Sequence, residues 1–230
     1  MKNPNEFRID LPGGGGATTA LHYAAGGDRI GATLILGHGA GAGQRSAFMV
    51  DFARALSALG LDVVTFNFLY IEVGRRIPDR GPALHACYRA VIDVACDRVE
   101  SARRALFIGG KSMGGRIATE LAATAPLPIR GLVLLGYPLH PPGHPDKRRD
   151  GHLSSIRRPM LIIQGSRDTF GLPAEFEPEL SSLTPAPTLE VVEGGDHSFK
   201  LPRRNPAAQA AIYGDVQATI AGWIRSRIQL

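Results

Sequence analysis

Apolar positions along this chain follow two periods in alternation. Short apolar runs bounded by turn residues mark strands. Between them apolar residues return every three or four positions, which marks amphipathic helices. Residues 7–11 and 20–24 bracket the glycine run 13–16 and predict an antiparallel strand pair. The uninterrupted run 32–36 predicts a strand buried on both faces. Ser46 can cap a helix whose Phe48, Phe52, Leu56 and Leu59 share a face, and Gly60 ends it. A strand follows at 63–66, then a helix opened by Pro82 with Leu84, Tyr88, Val91, Ala95 and Val99 on one side. Strands are predicted at 105–108, 132–135, 160–163 and 189–192. The helices among them cover 113–125, closed by Pro126, and 173–182. A last helix begins near Pro206 and turns Ile212, Val216, Ile220 and Trp223 inward.

A hairpin followed by repeated strand–helix units implies right-handed crossovers. The fold class is therefore α/β: a mostly parallel sheet with helices on both faces. No repeat or linker divides the chain, so residues 1–230 read as a single domain. In such sheets functional groups gather at the carboxyl ends of the strands.

Composition narrows the classes. Apolar residues are 44% and charged residues 20%, too apolar for a disordered chain. No apolar run approaches the ~18 residues of a membrane span, and the first residues lack the apolar stretch of a secretory signal. The net charge of +5 comes from short pairs such as Arg75-Arg76 and Arg203-Arg204 without interleaved aromatics, which reads as solvated loops and not as a nucleic-acid surface. Cys87 and Cys96 fall on one predicted helix, on opposite faces at ~100° per residue, and cannot pair with each other. Two free thiols point to a reducing compartment, the cytoplasm. The sequence leaves a homodimer open.

Candidate chemistry begins after the strand at 105–108 with Gly110-Lys111-Ser112-Met113-Gly114-Gly115, a G-x-S-x-G in strand–turn–helix context. The two glycines permit a turn tight enough to lift the Ser112 hydroxyl above the sheet at a helix N-terminus. A phosphate loop would need glycine at 105, which is alanine. A serine nucleophile needs a base, and the base an orienting acid. Asp168 follows the strand at 160–163 and His197 the strand at 189–192, in the order serine, acid, histidine. An oxyanion site needs two N–H donors. Met113 is one candidate; the other is Ala40, in Gly37-His38-Gly39-Ala40-Gly41-Ala42-Gly43, with His38 in support. That loop also satisfies a dinucleotide pattern, but the next strand ends on Asn67 and not on an acid for a ribose. His140, His144, Asp146 and His152 share a loop at spacings that match no helix-borne ligand pair, so no metal is expected.

These segments, together with Gly136-Tyr137-Pro138-Leu139-His140-Pro141-Pro142-Gly143 and Gly195-Asp196-His197-Ser198-Phe199, resemble the α/β-hydrolase superfamily over nearly the whole chain. The likeness is to small dienelactone-hydrolase-like bacterial serine hydrolases, which share a domain with a testis-expressed mammalian protein and a chromatin-complex subunit. The resemblance implies an eight-stranded sheet with the second strand antiparallel, and ester cleavage through a serine acyl-enzyme without a cofactor. Ser112 stands where true dienelactone hydrolases look to cysteine, so their substrate does not carry over. The partner implied is a small-molecule ester, not nucleic acid or membrane. Pocket walls are expected from Met49, Phe68, Tyr70, Tyr137, Phe170 and Phe199, near strand ends. Lids of this superfamily enter between the sixth and seventh strands. Here that connection, 137–158, carries four prolines and a charged run with no apolar helical stripe, which predicts no lid. The alternative is a non-catalytic module on the same fold.

Overall fold

The computed structural model describes residues 3–228. Its strands are β1 (Asn5–Asp10), β2 (Ala17–Tyr23), β3 (Thr33–Gly37), β4 (Asp62–Phe66), β5 (Leu106–Lys111), β6 (Gly131–Leu135), β7 (Met160–Gly165) and β8 (Thr188–Val192). They form one sheet in the order β1-β2-β4-β3-β5-β6-β7-β8. β2 runs antiparallel to both neighbours and every other pair from β4 to β8 is parallel, so β2 is the one reversed strand.

Seven helices lie among the described residues: α1 (Ala47–Ala58), α2 (Leu69–Glu72), α3 (Gly81–Arg98), α4 (Glu100–Arg104), α5 (Met113–Thr124), α6 (Glu177–Leu180) and α7 (Pro206–Ser226). One face of the sheet packs on α3 and α5 through Tyr88, Val91, Ile117 and Leu121. The other packs on α1 and α7 through Phe52, Leu56, Ile220 and Ile224. β3, β5, β6 and β7 are buried along their whole length, as their unbroken apolar runs require.

Three elements differ from the sequence reading. β5 continues through Gly109 and Gly110 to Lys111, pairing with both β3 and β6. The glycines look like a turn, yet a Cβ on Gly109 would lie 1.8 Å from the Val133 carbonyl oxygen, so only glycine fits the strand there. The helix expected over 173–182 is a 3-10 turn (Pro173–Glu175) and then α6. Proline at 178 is admitted only in a first turn, so the helix restarts beside it. The short α2 and α4 carry too few turns to show a period. Between β6 and β7 the only helical piece is the 3-10 turn Leu153–Ser155, so no lid is built there. Both cysteines are free on α3.

Candidate active site

β5 ends where the turn to α5 must be tight. Ser112 has φ 51° and ψ −115°, a conformation that costs a side-chain-bearing residue on the order of 1–3 kcal/mol. The turn also brings the end of β3 against the start of α5: a Cβ on Gly110 or Gly114 would lie 2.2 Å from the Gly37 oxygen. The loop after β8 turns back over this elbow. Asp196 shapes it, its Oδ1 accepting the Ser198 N–H at 2.7 Å and the Lys200 N–H at 2.9 Å.

The fold thus brings Ser112, His197 and Asp168 together from three loops. His197 Nε2 is 2.9 Å from Ser112 Oγ, and His197 Nδ1 is 2.7 Å from Asp168 Oδ2. Asp168 is fully buried. Its Oδ2 also accepts from Gln164 Nε2 at 2.7 Å, and its Oδ1 from the Phe170 N–H at 2.9 Å. Such a carboxylate only accepts, so Nδ1 carries the imidazole hydrogen and the Nε2 lone pair faces the serine. The Phe170 ring stacks on the imidazole at 4.2 Å between centroids. Chemically, this arrangement can take a proton from Ser112 and stabilise the resulting imidazolium.

The loop after β3 runs beside the serine, with Ala40 and Met113 both lining a cleft of about 560 Å³. His38 ties this loop down from beneath. Its Nδ1 donates to the Gly39 carbonyl at 2.8 Å and its Nε2 accepts the Phe68 N–H at 3.0 Å. Burial lowers its pKa to about 4, so the ring is neutral and can play both parts. The Gly41 N–H donates to the Tyr70 hydroxyl at 3.3 Å, and the Gln44 N–H to Asn67 Oδ1 at 2.9 Å.

A family model described as Alpha/beta hydrolase domain matches residues 31–225. The chain belongs to that family. Solved structures with the same hydrolase fold include a lidless a/b serine hydrolase of Xanthomonas campestris, 22% identical, with a TM-score of 0.73 over 97% of this chain and 96% of the other. A dienelactone hydrolase of Anabaena variabilis is 21% identical, with a TM-score of 0.70 over 94% and 97%. The esterase domain of a Rhodothermus marinus protein is 15% identical, with a TM-score of 0.71 over 98% and 99%.

Within this alpha/beta hydrolase domain, two of the expected wall residues, Met49 and Phe170, line the cleft. Phe68, Tyr70, Tyr137 and Phe199 do not; each is fully buried. Phe68 meets Phe66 and Tyr88 edge-on, Tyr137 donates its hydroxyl to the Arg149 carbonyl, and Phe199 packs toward Phe48 of α1. His38 likewise lies under the loop and not on the wall. Nearness to a strand end places a residue near the site, but the backbone direction there decides which way its side chain points. Of the histidine-rich loop, His140 meets Glu175 and His152 meets Thr119, and no metal-holding cluster occurs among the described residues.

The structure also adds residues the motifs did not single out. Gln164 is a buried amide at the end of an apolar strand, which is itself a signal. Its Oε1 accepts the Tyr137 N–H at 2.9 Å while its Nε2 holds Asp168. Lys111, the variable residue before the serine, is 7% exposed and lines the cleft over the Phe48 ring, 6.0 Å from its centroid. Burial lowers its pKa to about 8, against the pull of Asp168 and Asp196. The folded value lies below the unfolded one. Holding the ammonium in place therefore costs ~3 kcal/mol of stability below pH 8, a cost relieved between pH 8 and 10.5.

Proposed function

We propose that the chain is a serine hydrolase cleaving small carboxylic esters, acting as one domain over residues 1–230. The observation that carries this reading is the unbroken relay of Ser112 Oγ, His197 and Asp168 at 2.9 and 2.7 Å, with the serine on a strained elbow. His197 takes the serine proton as Oγ attacks the carbonyl carbon. The Ala40 and Met113 amides receive the oxyanion. His197 then protonates the leaving alcohol, and next activates water to release the acid. This route draws on no cofactor. A non-catalytic module would keep Ser112 at positive φ without return.

Labelling with a fluorophosphonate followed by peptide mapping tests the reading. An adduct on Ser112 is expected. A protein that stays unlabelled beside a reactive control hydrolase would instead favour the interaction module.

Substrate size follows from the bare connection between β6 and β7. An uncovered cleft buries little of a long acyl chain, so methylenes beyond the first few gain far less than the ~0.8 kcal/mol of full burial. Among p-nitrophenyl esters, acetyl to butyryl should be cleaved faster than palmitoyl. No rate jump should appear as substrate passes its solubility limit. Preference for palmitoyl would contradict the open site.

A further inference from the structure

The cleft wall is cationic beyond what an ester carbonyl requires. Lys111, Arg116 and Arg149 line it, against the single carboxylate of Asp79, which is already ion-paired with Arg75. Arg116 is paired with Glu120, and Glu120 also holds His85. The other two cations feel carboxylates only at a distance: Asp168 and Asp196 attract Lys111, and Glu120 attracts Arg149. Among the described residues neither the Lys111 ammonium nor the Arg149 guanidinium meets a hydrogen-bond acceptor or a carboxylate within ion-pair distance. They stand on different walls. Lys111 lies over Phe48 at the start of α1, whereas Arg149 lies beside Arg116 of α5, whose charge repels it. Lys111 is only 7% exposed, so an anion entering the cleft would meet a poorly hydrated ammonium that no carboxylate touches.

Resting on the ester-hydrolase reading, we infer that this site takes esters carrying a carboxylate, held by Lys111 or Arg149 while the ester carbonyl sits at Ser112. A guanidinium edge presents two N–H donors that match a carboxylate, and a poorly hydrated ammonium attracts one more strongly than an ammonium in bulk water. Neutral esters can still reach Ser112, but they leave both cations unpaired.

Two matched pairs of substrates test this, one with the charge on each side of the ester. They are 4-nitrophenyl hydrogen adipate against 4-nitrophenyl hexanoate, and 4-acetoxybenzoate against 4-methylphenyl acetate. At low ionic strength the charged member of at least one pair should have a kcat/KM at least tenfold higher, and added salt should erode that ratio. Lys111→Met or Arg149→Gln should bring the ratio down toward one. Lys111→Met removes a buried cation, so its folding is not at risk. Equal or better turnover of the neutral member in both pairs overturns the inference. So does a charge preference that survives both substitutions. Binding separates this from failure of the hydrolase reading. If no ester is turned over and Ser112 stays unlabelled, monomethyl adipate should still raise Tm more than dimethyl adipate. Equal shifts would overturn the anion site as well.

Discussion

Replacing Ser112 with alanine is expected to lower ester turnover by about 10⁴–10⁶-fold while leaving the fold in place. The Oγ faces the cleft and His197, so its loss removes no packing from the two cores. What remains is whatever the proposed oxyanion donors, the Ala40 and Met113 amides, achieve with water alone. His197→Ala should be comparably severe. Asp168→Asn should be milder, because the imidazole survives as a base, though the amide can donate to Nδ1 and favour the wrong tautomer. Steady-state kinetics with p-nitrophenyl butyrate, alongside thermal melts, reads all three. A Ser112→Ala protein that kept more than a tenth of the activity would remove the serine from the mechanism.

The second large effect is on stability. Gly114→Ala should destabilise the protein by several kcal/mol, on the order of 3 or more, and much of it should be recovered unfolded or aggregated. The new Cβ would stand 2.2 Å from the Gly37 oxygen, 2.4 Å from its carbonyl carbon and 2.8 Å from its Cα. These are backbone atoms of a central strand, and they cannot yield without parting β3 from α5. Gly214→Ala on α7 is the control. A Cβ there meets nothing within 4 Å, and a helical glycine replaced by alanine gains roughly 0.5–1 kcal/mol. Urea titration of the two variants should give shifts of opposite sign. Similar stabilities would mean that the close approach at the elbow is not what fixes this turn.

The frame was legible because period carries it. Unbroken apolar runs became the fully buried central strands, and the residues after two of them, β5 and β7, met those after the edge strand β8 at one point. Ser112, Asp168 and His197 were readable for that reason: each follows a strand, and parallel strands deliver their carboxyl ends to one edge. Side-chain direction in the loops was not legible. Phe68, Tyr70, Tyr137 and Phe199 look like pocket aromatics by position, yet loop backbone has no period, and all four turn inward. Lys111 and Arg149 were hidden differently. Charge in a sequence reads as solvated until a structure shows which charges line a cleft, and Arg149 sits within a run that otherwise looks like ordinary surface.

The parallel pairing of β8 on the edge of the sheet has a consequence for the growing polypeptide. Ser112 leaves the ribosome early and Asp168 later, but His197 lies beyond β8, the last strand to be made. A nascent chain whose central strands have already collapsed holds a serine on its elbow and no imidazole beside it. Its hydroxyl is then no more reactive than that of free serine. On the proposed mechanism, acyl chemistry begins only when β8 has found β7 and α7 has docked on α1, the last of which joins the two ends of the chain. If Ser112 is the nucleophile proposed above, chains stalled before that point are inert toward esters, so the order of synthesis itself would keep unfinished molecules from becoming acylated.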